Sequence, residues 1–173
     1  FFYPYLGCHH LEPLRKQKAY TANNMLEKVK QRLLNWEGLV LKPYECSQGY
    51  VSIGIGRNLE TNGITKEEAD ILLNNDVNNV IIKLDTHWPV YKTFPEEAQM
   101  VVIDLVFNMG INTWLAFRKT RAYMELGEWE KAGDELLDSR YAKQVGRRAI
   151  FNSEELKKCQ HKKPLKNIKQ TQD

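Results

Sequence analysis

The chain has 173 residues, 42% of them apolar and 27% charged, with a net charge of +3. That length suits one domain, or two lobes sharing a helix, and can bury a core without metals or disulfide staples. The composition excludes wholesale disorder, and no apolar run reaches the ~20 residues that a membrane-spanning helix needs. The three cysteines, Cys8, Cys46 and Cys159, are an odd count and do not form a disulfide framework. Cys8-His9-His10 and Cys159-x-His161 follow no zinc spacing, so no metal is expected. The charge is uneven. Residues 157–173 hold six Lys and one Asp and residues 1–24 three basic groups and one Glu, leaving residues 25–156 with sixteen basic and twenty acidic groups, a net of −4. The basic character belongs to the ends, and the acidic middle argues against a specific nucleic-acid partner.

The chain opens Phe1-Phe2-Tyr3-Pro4 without Met. A processed or trimmed product is the expected reading, compatible with a signal segment already removed. Residues 1–24 show no clear period and read as an extension. In "NNMLEKVKQRLLNWEG", Leu26, Val29, Leu33 and Trp36 fall at helical spacing. Asn23 or Asn24 would cap the start and Gly38 would close the end, placing Glu37 in the last turn. "ECSQG" is a turn signal, and "YVSIGIG" alternates like a strand with close backbone approach. Leu39-Val40-Leu41 supplies a partner strand, so a small antiparallel sheet is expected over about 37–63. Thr65-x-x-Glu68 is a capping box for a helix over about 65–84, with Ala69, Leu72, Leu73, Val77, Val80, Ile81 and Leu84 as its apolar face.

Pro95 suits the first turn of the next helix. That helix is apolar nearly all round from Met100 to Phe107, ends at Gly110 and belongs at the centre of a bundle. Trp114 to Leu126 and Trp129 to Leu137 read as further helices, and "SRYAKQVGRRAIF" as a last short segment or two. The expected organisation is α+β and mainly helical: a small antiparallel sheet lobe, a long connecting helix and a helical lobe over about 95–151. A catalytic or binding domain over 25–156 would carry it, followed by a basic tail over 157–173.

One short span stands out. Glu37, Cys46 and Ser52 lie where a helix meets the sheet. A Glu at a helix end is ordinarily a surface charge, a turn Cys a small apolar residue, and a strand Ser a filler. Together they offer more. A carboxylic acid beside apolar walls holds its proton to higher pH and can give it to a leaving oxygen. Cys46 can serve as a thiolate nucleophile or hold a water, and Ser52 can position that water. These are parts suited to breaking an acetal. A Cys–His hydrolase competes, but the interior His87 sits in a loop without a matching signature.

Glu37, eight residues, Cys46, five residues, Ser52 resembles the signature of the phage lysozymes of the T-even type, glycoside hydrolase family 24. That signature is Glu, eight residues, Asp or Cys, five residues, Thr. The surrounding "EGL.LK.Y" and "GY.SIGIG" match it too. "GITKEEADILLNNDV", "DLVFNMG", Ala116-Phe117, Trp129 and "SRY...GRRA" follow in order, so the resemblance covers roughly residues 25–151. It implies a lysozyme-like fold and a muramidase cutting the β-1,4 bond between N-acetylmuramic acid and N-acetylglucosamine in peptidoglycan. It implies no cofactor, a monomer, and an endolysin made in the host cytoplasm that acts on the wall. Glu37 would be the general acid. Cys46 stands where Asp is more frequent, and Ser52 where Thr is usual. Inversion through a held water and retention through a thiolate nucleophile both remain open, with the family default on the side of inversion. Gly56, Asn58, Phe107, Asn108 and Thr120 would border the sugar. Arg148 matches a basic residue that pairs with the acid, while Arg57, in place of a frequent His, and Asp76 would form an ion pair. A non-catalytic wall-binding or structural module that kept the fold is the alternative reading. A nucleic-acid binder working through the 157–173 tail is the third.

Overall fold

The computed structural model describes residues 11–161, with side chains over 23–160. Cys8, His9, His10 and residues 162–173 of the basic tail lie outside the described residues. The chain divides into two compact units, one ending at Lys66 and one beginning at Glu67. It is mostly helical with one three-stranded antiparallel sheet, the α+β class expected.

The first unit opens with α1 (Leu11–Glu37). The helix starts well before Asn23, so Asn23 and Asn24 are interior residues and not caps. The reason is local. Leu14 to Ala19 are strong helix formers, and Pro13 falls in the first turn, where no backbone N–H donor is required. The sheet follows as β1 (Val40–Glu45), β2 (Val51–Gly54) and β3 (Arg57–Asn58), with β2 in the middle. Val40 pairs with Gly54 and Tyr44 with Ser52, with a register shift between them, while Ser52 pairs onward with Asn58. Pro43 lies within the shifted stretch of an edge strand, where a missing N–H is tolerated. The short α2 (Leu59–Asn62) is capped by Asn58, whose side-chain oxygen accepts from the N–H groups of Glu60 and Thr61 at 2.9 and 3.0 Å. Glu60 Oε1 in turn accepts from the N–H of Val51 at 2.9 Å, tying α2 to the central strand.

α3 (Lys66–His87) begins one residue after Thr65, as the capping pattern predicts. Of its expected apolar face in the second unit, Val80 and Leu84 are buried, whereas Leu72 and Leu73 are about half exposed. A 3-10 segment, Pro89–Thr93, leads to α4 (Glu96–Met109). α4 buries Ala98, Val101, Val102, Leu105 and Val106 but leaves Met100 57% and Phe107 42% exposed, so it is buried on one face and not all round.

Residues 111–125 form two helices, α5 (Ile111–Ala116) and α6 (Arg118–Glu125), where the sequence pattern suggests one. The break is at Phe117, at φ −76° and ψ 57°. Its ring stacks on Trp114 at 6.1 Å and meets Tyr141 edge-on at 6.4 Å. Arg121 Nη2 donates to the carbonyl of Leu115 at 2.9 Å, satisfying an acceptor near the interruption. α7 (Trp129–Leu137), α8 (Arg140–Val145) and α9 (Arg147–Lys158) complete the unit. The basic tail therefore starts inside a helix, and Cys159 just beyond it is fully buried.

The core of the second unit is aromatic. Trp88 meets Phe94 and Trp114 edge-on, each at 5.4 Å, and Phe94 meets Trp129 at 5.3 Å. Edge-to-face pairs add to plain burial because ring edge and ring face carry opposite partial charge. α7 approaches α9 at Gly133, whose carbonyl accepts from Ser153 Oγ at 2.9 Å. A Cβ on Gly133 would sit 2.8 Å from the Ser153 carbonyl oxygen, which belongs to the α9 backbone and cannot swing away. Gly133→Ala is therefore expected to destabilise the protein by about 1–3 kcal/mol in urea unfolding, the usual cost of overpacking.

Candidate active site

The first unit holds the acid, the sulfur and the hydroxyl. Glu37 is the last residue of α1 and is exposed. Its neighbour Trp36 is 79% exposed and provides no apolar wall. The carboxylate lies instead against the main chain of Gly56. A Cβ there would come within 3.2 Å of Glu37 Oε2, and Gly56 has φ +69°, a region that side-chain-bearing residues avoid. Glycine at 56 thus serves both the turn and the seating of the acid.

Cys46 follows β1 in the turn to β2. Its N–H donates to the Tyr50 carbonyl and its carbonyl accepts from Gly49, both at 2.9 Å. The turn aims backbone N–H groups at the sulfur. Those of Gln48 and then Tyr50 hold the Cys46 thiol below its ordinary value; slight desolvation opposes this, and the Ser52 hydroxyl adds to the lowering. Ser52 is 2% exposed on the central strand, and its Oγ lies a long 3.5 Å from the Tyr50 carbonyl. So weak a bond leaves the hydroxyl available to the sulfur. The unit therefore joins Cys46 to Ser52 and Glu37 to Gly56.

The other expected residues divide between the two units. Asn58 is on β3, with its side-chain oxygen taken by the α2 cap. Arg57 Nε donates to the Gly63 carbonyl at 2.7 Å. In the second unit, Asp76 is on α3, while Phe107 and Asn108 are at the exposed end of α4. Thr120 is 1% exposed and lines a cavity of about 370 Å³ with Phe117, Glu135 and Ser139.

Arg148 has a carboxylate partner that sequence reading did not identify. Its guanidinium grips Asp104 through two hydrogen bonds, Nε to Oδ2 at 3.0 Å and Nη2 to Oδ1, and Asn152 Nδ2 donates to Oδ2 at 2.7 Å. Burial pushes the Asp104 carboxyl up, but hydrogen bonds from Arg148 and Asn152 and the Arg148 charge outweigh it, leaving the group below its usual value. The available signal was a lone acid in the apolar run of α4. Both side chains of the ion pair are more than one-third exposed, so solvent screens it. Asp104→Asn is expected to cost about 1 kcal/mol at pH 7. The sign with pH follows from the lowered carboxyl. The stabilisation is full above the unfolded Asp value of about 3.9 and is lost as pH falls through the folded value. Urea titrations of both proteins should differ constantly from pH 7 to about pH 5 and converge in stronger acid.

Among the described residues, no group of three His, Cys, Asp or Glu side chains is placed to hold a metal ion, and no helix is long and apolar enough to cross a membrane. Acetal cleavage needs a proton donor and a second group, and Glu37 and Cys46 are residue types able to supply them in a unit built on a small sheet, as in the lysozyme class of glycoside hydrolase. Comparison with known proteins agrees. The phage lysozyme family model matches residues 34–152, and the chain belongs to that family. It is 25% identical over 154 residues to a probable T4-type lysozyme 1 of Dictyostelium discoideum, covering 72% of this chain and 91% of that one. It is 29% identical over 116 residues to an endolysin of Acyrthosiphon pisum secondary endosymbiont phage 1, covering 65% and 77%. It is also 28% identical over 157 residues to the pre-baseplate central spike protein Gp5 of Enterobacteria phage T4, where the match covers 75% of this chain but 27% of Gp5.

Proposed function

We propose that the chain is a muramidase that hydrolyses the β-1,4 bond between N-acetylmuramic acid and N-acetylglucosamine, lysing the wall as a phage or prophage endolysin. The observation that carries this reading is the match of residues 34–152 to the phage lysozyme family, supported by a Cys46 sulfur that the Ser52 hydroxyl reaches and a Glu37 carboxylate seated against Gly56 in the same unit. Glu37 protonates the glycosidic oxygen as the bond breaks. Cys46, held toward its thiolate, takes the place of the more frequent carboxylate and activates the attacking water, which Ser52 helps to hold. Inversion at the anomeric carbon is the outcome of that route. Gly56, Asn58, Phe107, Asn108 and Thr120 border the substrate in this reading, and Arg57, Asp76 and Arg148 are supporting charges. The protein is made in the host cytoplasm, meets peptidoglycan beyond it and works as a monomer. Turbidity clearing of bacterial walls by the parent and by Glu37→Gln separates this from a non-catalytic wall-binding module.

A further inference from the structure

Trp36 presents a large apolar ring to solvent one residue before the catalytic acid. An indole 79% exposed is unusual, because leaving so much apolar surface in water sacrifices its burial energy. It is not isolated. Lys28, Gln31, Arg32, Asn35 and Trp36 share an open surface patch along α1. Their spacing of three, four, seven and eight residues puts them on one helix face, spanning ~12 Å of axis. Lys30 on the same helix is taken by Glu27 at 2.7 Å. Lys28 and Arg32 are exposed and have no ion-pair partner among the described residues. Gln31 Nε2 donates to Asn35 Oδ1 at 3.0 Å, leaving both amides with further donors and acceptors.

We propose that this face is a second wall-binding site, holding a carboxylate-bearing glycan strand of peptidoglycan away from the bond being cut. The indole offers a flat platform to a sugar ring, and the two amides suit hydroxyl and N-acetyl groups. The two cations suit the carboxylates of stem peptides. Single-stranded nucleic acid is the competing chemistry, since bases stack on aromatic rings beside cations. The net −4 of residues 25–156 opposes both anions, but more strongly the nucleic acid, which carries a charge on every nucleotide. The choice of ligand rests on the muramidase reading, whereas the existence of the site does not.

The test is co-sedimentation of the full chain with purified peptidoglycan sacculi, carried out with Glu37→Gln so that the walls stay intact. In that background, Lys28→Gln with Arg32→Gln, and separately Trp36→Ala, should each weaken binding at least about fivefold, with circular dichroism and thermal unfolding unchanged. Salt should weaken the parent and hardly affect the double variant, because the charges it screens are gone. Amidating the carboxylates of the sacculi should bring the parent down to the level of the double variant. Parent-like binding by both variants, or undiminished binding to amidated sacculi, overturns the proposal. So does preferential binding of a single-stranded DNA oligonucleotide that Trp36→Ala abolishes. Should Glu37→Gln still clear walls, the catalytic reading falls, and the effects of the α1 variants on sedimentation still decide the proposed site.

Discussion

Glu37→Gln should lower the rate of wall clearing by about 10²–10⁴-fold, the usual contribution of a positioned general acid. At the middle of that range the loss is about 4 kcal/mol of transition-state stabilisation. The amide keeps the shape of the side chain and its place against Gly56, but it has no acidic proton to give the leaving oxygen. Stability should barely change, because Glu37 is exposed and its packing contact is with the Gly56 backbone. Thermal unfolding beside the turbidity assay therefore distinguishes lost chemistry from lost fold. A variant that clears walls within threefold of the parent would remove Glu37 from the mechanism. A parent that does not clear walls, yet sediments with them, would favour the binding-module reading.

Cys46 carries the second large effect. Carboxymethylation of its sulfur should cost about 10²-fold or more in clearing rate, since it blocks the group meant to activate water. Labelling is best done in a Cys8→Ser background. Cys159 then acts as an internal control, because it is fully buried and should react slowly. The pH dependence of iodoacetamide labelling reports the thiolate directly. Backbone N–H groups of Gln48 and Tyr50, with the Ser52 hydroxyl, favour the charged sulfur, so the inflection should fall below the ~8.5 of a free cysteine. Ser52→Ala removes one of those donors, so its inflection should move up, toward the free value. Full activity after complete alkylation of Cys46 would exclude the sulfur from catalysis. An unchanged inflection in Ser52→Ala would dissociate the hydroxyl from it.

What could be read in the sequence was local. Glu37, Cys46 and Ser52 lie within sixteen residues, and a helix end, a turn and a strand can each be recognised from residue type and period. Gly56 was legible only in part: the alternation of glycines suggested a strand with close backbone approach, but β2 ends at Gly54 and Gly56 lies in the turn to β3, with the Glu37 carboxylate against it. Trp36 shows where periodicity misleads. Its spacing assigned it to the apolar stripe of α1, but Leu26, Val29 and Leu33 of that stripe are themselves about half exposed, and the Trp36 ring is 79% exposed. Periodicity reports which residues share a helix side, and only the surrounding chain decides what covers that side.

By itself, the sequence determined the family, the α+β class, the order of most elements and the spacing of the acid, sulfur and hydroxyl. All of these rest on residue type and short separations along the chain. The tertiary structure alone decided the grip of Arg148 on Asp104, 44 residues away, the break of a helix at Phe117 and the meeting of α7 with α9 at Gly133. Each depends on contacts between distant segments. Their energies arise only when packing brings those segments to within a few ångströms, and no local pattern encodes them.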